Sequence, residues 1–300
     1  MKRLSNYALL LLLLLTGARV VAQQQLSATT GPEKGSLLIV GGGKLGADIW
    51  AKFIELAGGI NANIVVIPTA GDDSTINTGK SFEKELLQDL GVQQVTVLHT
   101  RDPKVANTTE FTAPLKKATG IWFSGGRQWK LADAYLHTLA EKEFKAVLQR
   151  GGVIGGTSAG ATIQGSFLLR GDTKGNGILE GDHLQGLDLI HKVAIDQHIL
   201  RRNRQFDLVG VIKKHPELLG IGIDENTAIV VQKDTFEVIG NSFVAIYDIK
   251  QINGNEKSPT GEYGTEGPFY FLGKGQKFDL QQRKAIITTR PTTAPIRLSN

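Results

Sequence analysis

The 300-residue sequence contains no cysteine. Disulfides, zinc–thiolate sites, cysteine nucleophiles and lipid attachment through cysteine are therefore excluded, so a packed apolar core must supply the stability. The sequence has no histidine in residues 216–300, which excludes a histidine base from that part of the chain. It also has no run of lysines or arginines of the kind that contacts phosphates, and we predict no nucleic-acid partner.

No apolar run in the sequence is long enough to span a membrane, and the longest one lies near the N-terminus. Residues 8–15 are all apolar, Lys2 and Arg3 precede them, and small residues follow at positions 20–22. The run is too short to span a membrane, and the pattern is typical of a cleaved export signal. We expect a signal peptide over residues 1–22, export to the periplasm or the cell exterior, and no membrane association after cleavage.

Apolar segments of strand length alternate with segments of helical spacing through the first half of the chain. The predicted strands are residues 36–40, 63–68, 95–98, 120–123 and 153–154. Near-continuous apolar strands that alternate with helices are typical of a parallel sheet with both faces covered. After residue 158 the apolar segments are shorter and closely spaced, which predicts antiparallel strands or hairpins.

These patterns predict an α/β fold, a three-layer sandwich with a mostly parallel central sheet. Residues 23–35 are polar and contain glycine, proline, serine and threonine, as in a flexible leader. We expect the α/β domain to cover residues 36–250. Residues 251–300 are rich in glycine, lysine and threonine with short apolar islands, and we expect a peripheral β extension of the same domain.

Ser158 lies in a run of small residues, 155–161, directly after a short apolar strand. A serine flanked by small residues at both two-residue offsets fits a sharp strand-to-helix turn that exposes the hydroxyl group. The backbone N–H of Ala159 would then face the oxygen that becomes negatively charged during acyl transfer. The pattern predicts a serine hydrolase with Ser158 as the nucleophile.

A serine nucleophile needs a base and an acid, and the sequence offers alternatives for both. His198 lies in a polar cluster, His99 ends a predicted strand and is its main competitor, and His137 precedes the nucleophile on a predicted helix. Glu225 lies where an apolar strand ends, a usual place for a site residue, with Asp224 as its rival. The order serine, histidine, acid differs from that of α/β-hydrolases, which disfavours a lipase or esterase of that fold.

Two glycine-rich loops follow predicted strands. Residues 41–46 match the pattern G-x-G-x-x-G, but the second strand ends at Thr69 without an acid for a ribose, which disfavours a dinucleotide site. Gly125 and Gly126 allow close backbone approach and offer free N–H groups for an oxyanion. We predict neither a cofactor nor a metal ion.

In combination, these features resemble the cyanophycinase-like serine peptidases, which are related to dipeptidase E. Four segments carry the resemblance in the expected order: residues 38–43, 123–128, 156–161 and 196–198. The resemblance implies a fold like that of class I glutamine amidotransferases. It also implies that Ser158 is the nucleophile, that His198 is the general base and that Glu225 orients His198.

The resemblance assigns further groups around the reacting carbonyl. Gly126 and Ala159 would donate backbone N–H groups to the oxyanion. The positions that match substrate-binding residues are Gln128, Asp196, Gln197, Arg202 and Arg204. Arginine side chains suit the free carboxylates of a β-linked aspartyl substrate, and Asp196 suits a guanidinium group.

The expected function is that of an exported serine peptidase that hydrolyses cyanophycin or small aspartyl and β-aspartyl peptides through an acyl-enzyme. Two places depart from the family pattern: Arg127 stands where an aspartate is usual, and residues 205–207 read Gln-Phe-Asp where cyanophycin-degrading members carry another arginine. These changes alter which charges the pocket accepts. The alternatives are a secreted esterase or acylaminohydrolase on the same scaffold, or a binding protein that keeps the turn without catalysis. The protein could form a homodimer, and the sequence does not decide its oligomeric state.

Overall fold

The computed structural model describes residues 29–76, 81–254 and 267–286. The predicted signal peptide over residues 1–22 lies outside the described residues, as do the start of the leader and parts of the predicted C-terminal extension. No helix within the three described ranges is both long enough and apolar enough to cross a membrane.

Strands and helices alternate along the described chain. The strands are β1 Ser36–Val40, β2 Asn63–Ile67, β3 Gln94–Val97, β4 Gly120–Phe123, β5 Val153–Thr157, β6 Gly165–Phe167, β7 Ile190–Gln197, β8 Leu219–Ile223, β9 Thr227–Gln232, β10 Thr235–Gly240, β11 Val244–Tyr247, β12 Tyr270–Leu272, β13 Lys277–Asp279 and β14 Lys284–Ile286. The α-helices are α1 Ala47–Ala57, α2 Asp73–Ile76, α3 Phe82–Asp89, α4 Pro103–Ala106, α5 Thr109–Thr112, α6 Gln128–Tyr135, α7 Leu139–Gln149, α8 Ala159–Thr162, α9 Asp207–Lys214 and α10 Ile249–Ile252. Two short 3₁₀ helices cover Gly59–Asn61 and Ala113–Lys117.

The larger sheet has nine strands in the order β14-β13-β10-β9-β1-β5-β4-β2-β3. Strands β1, β5, β4, β2 and β3 are parallel, and β9, β10, β13 and β14 continue the sheet in antiparallel fashion. Helices cover both faces of the parallel part, which explains why its central strands are apolar along their whole length. The predicted α/β class with a largely parallel central sheet is confirmed.

Aromatic side chains anchor helices to both faces of the central strands. On one face, Trp50 and Phe53 of α1 lie 4.4 and 4.9 Å from Trp122 of β4, measured between ring centroids. On the other face, Phe144 of α7 lies 5.2 Å from Phe123, the next residue of β4. Because adjacent residues of a strand point to opposite faces, one short strand ties both helical layers together.

A second, five-stranded sheet has the order β12-β11-β8-β7-β6. The sequence predicts antiparallel strands or hairpins after residue 158, and for β8 this is only half right. Strand β8 pairs in parallel with β7 and antiparallel with β11. The prediction lacks β7 because the last two residues of this strand, Asp196 and Gln197, are polar and are read together with His198 as a turn. The predicted hairpin after it is present as β9 and β10.

The described part of the C-terminal segment adds to both sheets. Strand β12 pairs with β11 at the edge of the smaller sheet, whereas β13 pairs with β10 and β14 with β13 in the larger one. The inner face of the smaller sheet packs on the antiparallel half of the larger sheet, and both contribute to one buried cluster with helices α6 and α7. The two sheets therefore share one hydrophobic core.

The ends of strands from both sheets meet around residues 41–43. The N–H of Ser158, directly after β5, donates to Val40 O at 3.0 Å, and the N–H of His198, directly after β7, donates to Gly41 O at 3.0 Å. Functional groups of α/β proteins are usually found at the carboxyl ends of strands. This junction therefore brings the predicted nucleophile and base to one place.

Candidate active site

Ser158 occupies a tight turn between β5 and α8. Its backbone has φ 55° and ψ −110°, a conformation that costs a non-glycine residue about 1–3 kcal/mol and is concentrated at functional sites. A Cβ atom at Gly156 would collide with Gly160 O, and one at Gly160 would collide with Phe123 O. The small residues at both two-residue offsets are therefore required by the turn, as the sequence analysis expects.

The side chain of His198 faces Ser158. Its Nε2 lies 2.9 Å from Ser158 Oγ, and only 6 % of the side chain is exposed. His198 has φ 55° and follows the last residue of β7, so the chain turns sharply there and directs the imidazole toward the nucleophile. At this distance the neutral ring can accept the serine proton.

Glu225 lies on the far side of the imidazole. Its Oε1 is 2.6 Å from His198 Nδ1, so that Nδ1–H donates to the carboxylate and Nε2 is left to accept from Ser158. The rival acid, Asp224, is engaged elsewhere: Oδ1 accepts the N–H groups of Leu200 and Arg201, both at 3.0 Å. The structure thus places Glu225 on the histidine, and Asp224 on the turn that follows it.

The glycine loop at residues 41–43 makes room for these side chains. A Cβ atom at Gly42 would collide with the His198 ring, and one at Gly43 would lie 2.6 Å from Glu225 Oε2. Both glycines have positive φ, at 112° and 73°. Gly42 and Gly43 therefore have a steric role at this site.

Of the two predicted oxyanion donors, Ala159 directly follows the nucleophile, and Gly126 follows Gly125, which lies beside Ser158. Gly126 is exposed, with φ 141°, and a Cβ atom at Gly125 would lie in ordinary contact with the Ser158 Cβ, at 3.5 Å. Within the described part of the chain, the N–H groups of Gly126 and Ala159 donate no hydrogen bond. Both groups are thus available to an incoming carbonyl oxygen.

Burial and two nearby arginines lower the pKa of His198, which favours its neutral imidazole. Burial lowers the pKa of His198 most strongly; the hydrogen bond to Glu225 raises it, and the positive charge of Arg202 lowers it again. Arg204 lowers the pKa of His198 in the same way. A neutral histidine near neutral pH is the form that a general base requires.

Four of the other five histidines have side-chain partners away from Ser158. His99 Nδ1 lies 2.9 Å from Thr69 Oγ1, and His183, His191 and His215 each contact nearby carboxylates. His137, in a left-handed turn after α6, shows no side-chain partner among the described contacts. Among the described residues, no group of three or more acidic or histidine side chains is placed to hold a metal ion.

Three of the predicted substrate-binding residues are buried. Gln128 is 1 % exposed, and its Nε2 donates to Leu169 O at 2.7 Å. Asp196 is 1 % exposed, and both of its oxygens accept from the guanidinium of Arg170, at 2.9 and 2.8 Å. Gln197 is also buried, and its Oε1 accepts from Arg204 at 3.3 Å. In this structure these three side chains bind other parts of the protein around the site.

The two predicted arginines are more accessible. Arg202 is exposed, and its side chain has no hydrogen bond or ion pair within the described residues. Arg204 is half-buried, and burial together with the charge of Arg170 lowers its pKa. The positive charges of both arginines lower the pKa of His198.

Sequence reasoning missed Arg170, which organises this region. Its guanidinium bonds to Asp196, to Asp207 at 2.5 Å and to Asn176 O at 2.9 Å, and its backbone has φ 55°. No local motif marks it, because its carboxylate partners are 26 and 37 residues away in the sequence.

Both places that depart from the family pattern have partners within the protein. Asp207 pairs with Arg170, and the Arg127 side chain donates to Asp172 O at 2.6 Å.

Comparisons with known proteins place the chain in a peptidase family. The model of peptidase family S51 matches residues 37–239. The cyanophycinase of Geminocystis herdmanii is 33 % identical over 262 residues, which is 82 % of this chain and 94 % of that protein. The cyanophycinase of Trichormus variabilis is 28 % identical, over 84 % of this chain and 88 % of that protein.

A solved structure shows the same architecture. The crystal structure of a peptidase from an acI-B1 Actinobacterium superposes with a TM-score of 0.60 at 25 % identity, covering 83 % of this chain and 98 % of that one. The family match spans well over half of the sequence and includes the turn at Ser158, the loop at Gly126 and Glu225. The chain therefore belongs to peptidase family S51 and is a serine-type peptidase.

Proposed function

We propose that this chain is an exported peptidase that hydrolyses aspartyl peptides through an acyl-enzyme on Ser158. One observation carries the proposal: Ser158 Oγ, the His198 ring and the Glu225 carboxylate form a continuous hydrogen-bonded line of 2.9 and 2.6 Å. This arrangement has the order of contacts that activates a serine in unrelated hydrolases. The free N–H groups of Gly126 and Ala159 complete the set of groups that acyl transfer needs.

In the first half-reaction, Ser158 Oγ attacks the scissile carbonyl carbon while His198 Nε2 takes the hydroxyl proton. The carbonyl oxygen becomes negative and accepts hydrogen bonds from Gly126 and Ala159. Glu225 stabilises the imidazolium that forms. His198 then gives the proton to the leaving amine, the C–N bond breaks, and the acyl group remains on Ser158.

In the second half-reaction, His198 takes a proton from water as the water oxygen attacks the acyl carbon. The bond to Ser158 Oγ breaks, and the proton returns to the serine from the imidazolium. The product acid leaves, and the enzyme is restored. No group outside this chain and water is needed to balance the reaction.

The arginines whose charges act on His198 support the proposed substrate class. Arg202 and Arg204 suit a carboxylate close to the scissile bond, as in an aspartyl or β-aspartyl peptide. The relatives named cyanophycinases support cyanophycin as one candidate. Asp196, which suits a guanidinium, is already paired with Arg170, and this favours small aspartyl peptides over arginine-bearing polymer.

Export is supported by the pattern of residues 1–22, with a basic start and an apolar run before small residues. The absence of cysteine fits any redox environment, including an oxidising one. Expression of the full chain followed by N-terminal sequencing of the exported fraction tests this point. A start near residue 23 supports the proposal, and full-length protein retained in the cytoplasm contradicts it.

Hydrolysis by the mature protein beside its Ser158→Ala variant tests the function. The panel contains cyanophycin, β-aspartyl-arginine, α-aspartyl dipeptides and a generic ester. Serine-dependent cleavage of the aspartyl peptides is the expected result, and release of dipeptides from cyanophycin would extend the substrate class to the polymer. Turnover of the ester alone would favour an esterase, and absence of all turnover would favour a binding protein.

A further inference from the structure

We propose that Arg101 is a positioning residue for the oxyanion site, because it clamps the loop of residues 69–71 on which the Gly126 peptide rests. This inference builds on the proposed function, since it concerns the same reacting carbonyl. Among the described contacts, Arg101 touches neither Ser158 nor His198. It would therefore act only through the loop.

The 69–71 loop is in direct contact with the oxyanion loop. It follows β2, which pairs with β4, and the Gly125–Gly126 loop follows β4. The N–H of Arg127 donates to Ala70 O at 2.8 Å. A Cβ atom at Gly126 would collide with the same Ala70 carbonyl, so the two loops meet backbone to backbone. The Gly126 N–H cannot keep its direction if Ala70 moves.

Arg101 binds the carbonyls on both sides of Ala70. Its Nη1 donates to Thr69 O, and its Nη2 donates to Gly71 O at 2.8 Å. Nε donates to Asp73 at 3.0 Å, and the guanidinium holds the pKa of this carboxyl below its usual range. A planar guanidinium can hold two carbonyls in a fixed relation, whereas a lysine ammonium has no such fork.

The inner side of the loop is held separately. Thr69 Oγ1 lies 2.6 Å from Tyr135 Oη and 2.9 Å from His99 Nδ1, and both Thr69 and Tyr135 are fully buried. Burial raises the pKa of Tyr135 to about 12, so its hydroxyl keeps its proton. Arg101, with 30 % of its side chain exposed, therefore fastens the outer side of a loop whose inner side is already fixed.

Replacement of Arg101 by methionine should leave the fold in place but loosen the Ala70 carbonyl. Loss of one whole oxyanion donor typically costs a factor of 10²–10³ in kcat. Because Arg101→Met displaces a donor without removing it, we expect kcat to fall about tenfold with little change in KM. Arg101→Lys keeps the charge and one carbonyl bond, and should give an intermediate loss.

The experiment uses the full mature protein and two readouts. The first is kcat and KM on the best peptide substrate, with the pH profile of kcat/KM. The second is the rate constant for labelling of Ser158 by a fluorophosphonate, which needs the oxyanion site but no natural substrate. Arg150→Met is the matched control, since Arg150 also binds two backbone carbonyls, those of Leu115 at 2.9 Å and Ala118 at 3.3 Å.

The expected result is a parallel fall of kcat and labelling rate in Arg101→Met, an intermediate fall in Arg101→Lys, and unchanged rates in Arg150→Met even if its melting temperature drops. The acid limb of the pH profile, set by His198, should stay in place. Three results would contradict the role of Arg101 but leave the proposed function intact. These are wild-type rates in Arg101→Met, an equal loss of rate in Arg150→Met, and an acid limb that moves along the pH axis. Failure of the wild-type protein to label would overturn the proposed function and the clamp with it. If Arg101→Met does not fold, Arg101→Lys decides the question by the same readouts.

Discussion

The Ser158–His198 pair and the Thr69–His99 pair are alike in their central contact. In both, a side-chain hydroxyl lies 2.9 Å from an imidazole nitrogen at the end of a parallel strand. In both, burial lowers the pKa of the histidine. From sequence alone, His99 competes with His198 for the role of base. A hydroxyl–imidazole contact and a neutral ring therefore do not separate a nucleophile from a structural pair.

The groups around the two pairs separate them. His198 has Glu225 at Nδ1, which fixes the tautomer and can stabilise an imidazolium, whereas the charge that acts most on His99 is Arg101, which opposes protonation. Thr69 shares its hydroxyl with Tyr135 and is fully buried. Ser158 lies in a strained turn beside two free N–H groups. What distinguishes the proposed reactive pair is the carboxylate at its histidine, the strained backbone of its serine and the unbonded N–H groups of the proposed oxyanion site.

Replacement of the two hydroxyl groups should give the largest contrast. Ser158→Ala removes the nucleophile, and kcat should fall by about 10⁴-fold or more. Thr69→Val removes a hydroxyl at the same distance from a histidine, and should chiefly lower the melting temperature. Steady-state kinetics and calorimetry measure both. Substantial turnover in Ser158→Ala would remove the basis for assigning the acyl-enzyme to this serine.

The two histidines should differ nearly as much. His198→Ala should reduce kcat by about 10³–10⁴-fold, because proton transfer to and from the reacting groups is lost. His99→Ala should reduce it only a few-fold, through the 69–71 loop. Measurement of kcat for both variants decides between them. Near-normal activity of His198→Ala, with loss of activity in His99→Ala, would move the base to His99.

The neighbouring acids offer a finer contrast. Glu225→Gln keeps the shape but lets Nδ1 face an amide, and kcat should fall roughly 10²–10³-fold, less than for a fully buried triad acid because the Glu225 side chain is 30 % exposed. Asp224→Asn should cost no more than about tenfold, since Asp224 supports the turn after His198 without touching the ring. An equal effect of the two substitutions would contradict the assignment.

The smallest effects concern pH. Because burial and Arg202 lower the pKa of His198, kcat/KM should rise with pH through a midpoint below the ordinary value of 6.5 and be complete at neutral pH. Arg202→Gln removes a charge that lowers this pKa, so the acid limb should move to higher pH. Glu225→Gln removes a group that raises it, so the limb should move to lower pH. Shifts of the opposite sign in a pH–rate profile would show that another group titrates.

Much of the fold is visible in the sequence because it depends on local patterns. The apolar strands β1, β2 and β4 are buried along nearly their whole length, and their continuous hydrophobicity predicts a covered parallel sheet. Strand β7 is missed because its buried end carries Asp196 and Gln197, whose polar side chains are compensated by Arg170 and Arg204 from elsewhere in the chain.

The candidate site also has one part that local sequence patterns reveal and one part that depends on long-range contacts. Ser158 is recognisable because its turn demands small neighbours, and that demand is local. Residues 41–43 stand out as a glycine loop, but their purpose, room for His198 and Glu225, depends on contacts more than 150 residues away in sequence. Arg101 and Arg170 bind partners that no spacing rule connects to them. Long-range ion pairs and backbone contacts leave no periodic signal, and they are what the structure adds.

The central claim is that Ser158, and no other hydroxyl, is activated by its histidine. Reaction of the wild-type protein with a fluorophosphonate, followed by intact-mass measurement and peptide mapping, tests this most directly. We predict one adduct per chain, on Ser158, formed quickly in wild type and His99→Ala and very slowly in His198→Ala. No adduct, an adduct on Thr69 or another residue, or labelling that survives intact in His198→Ala would contradict the account.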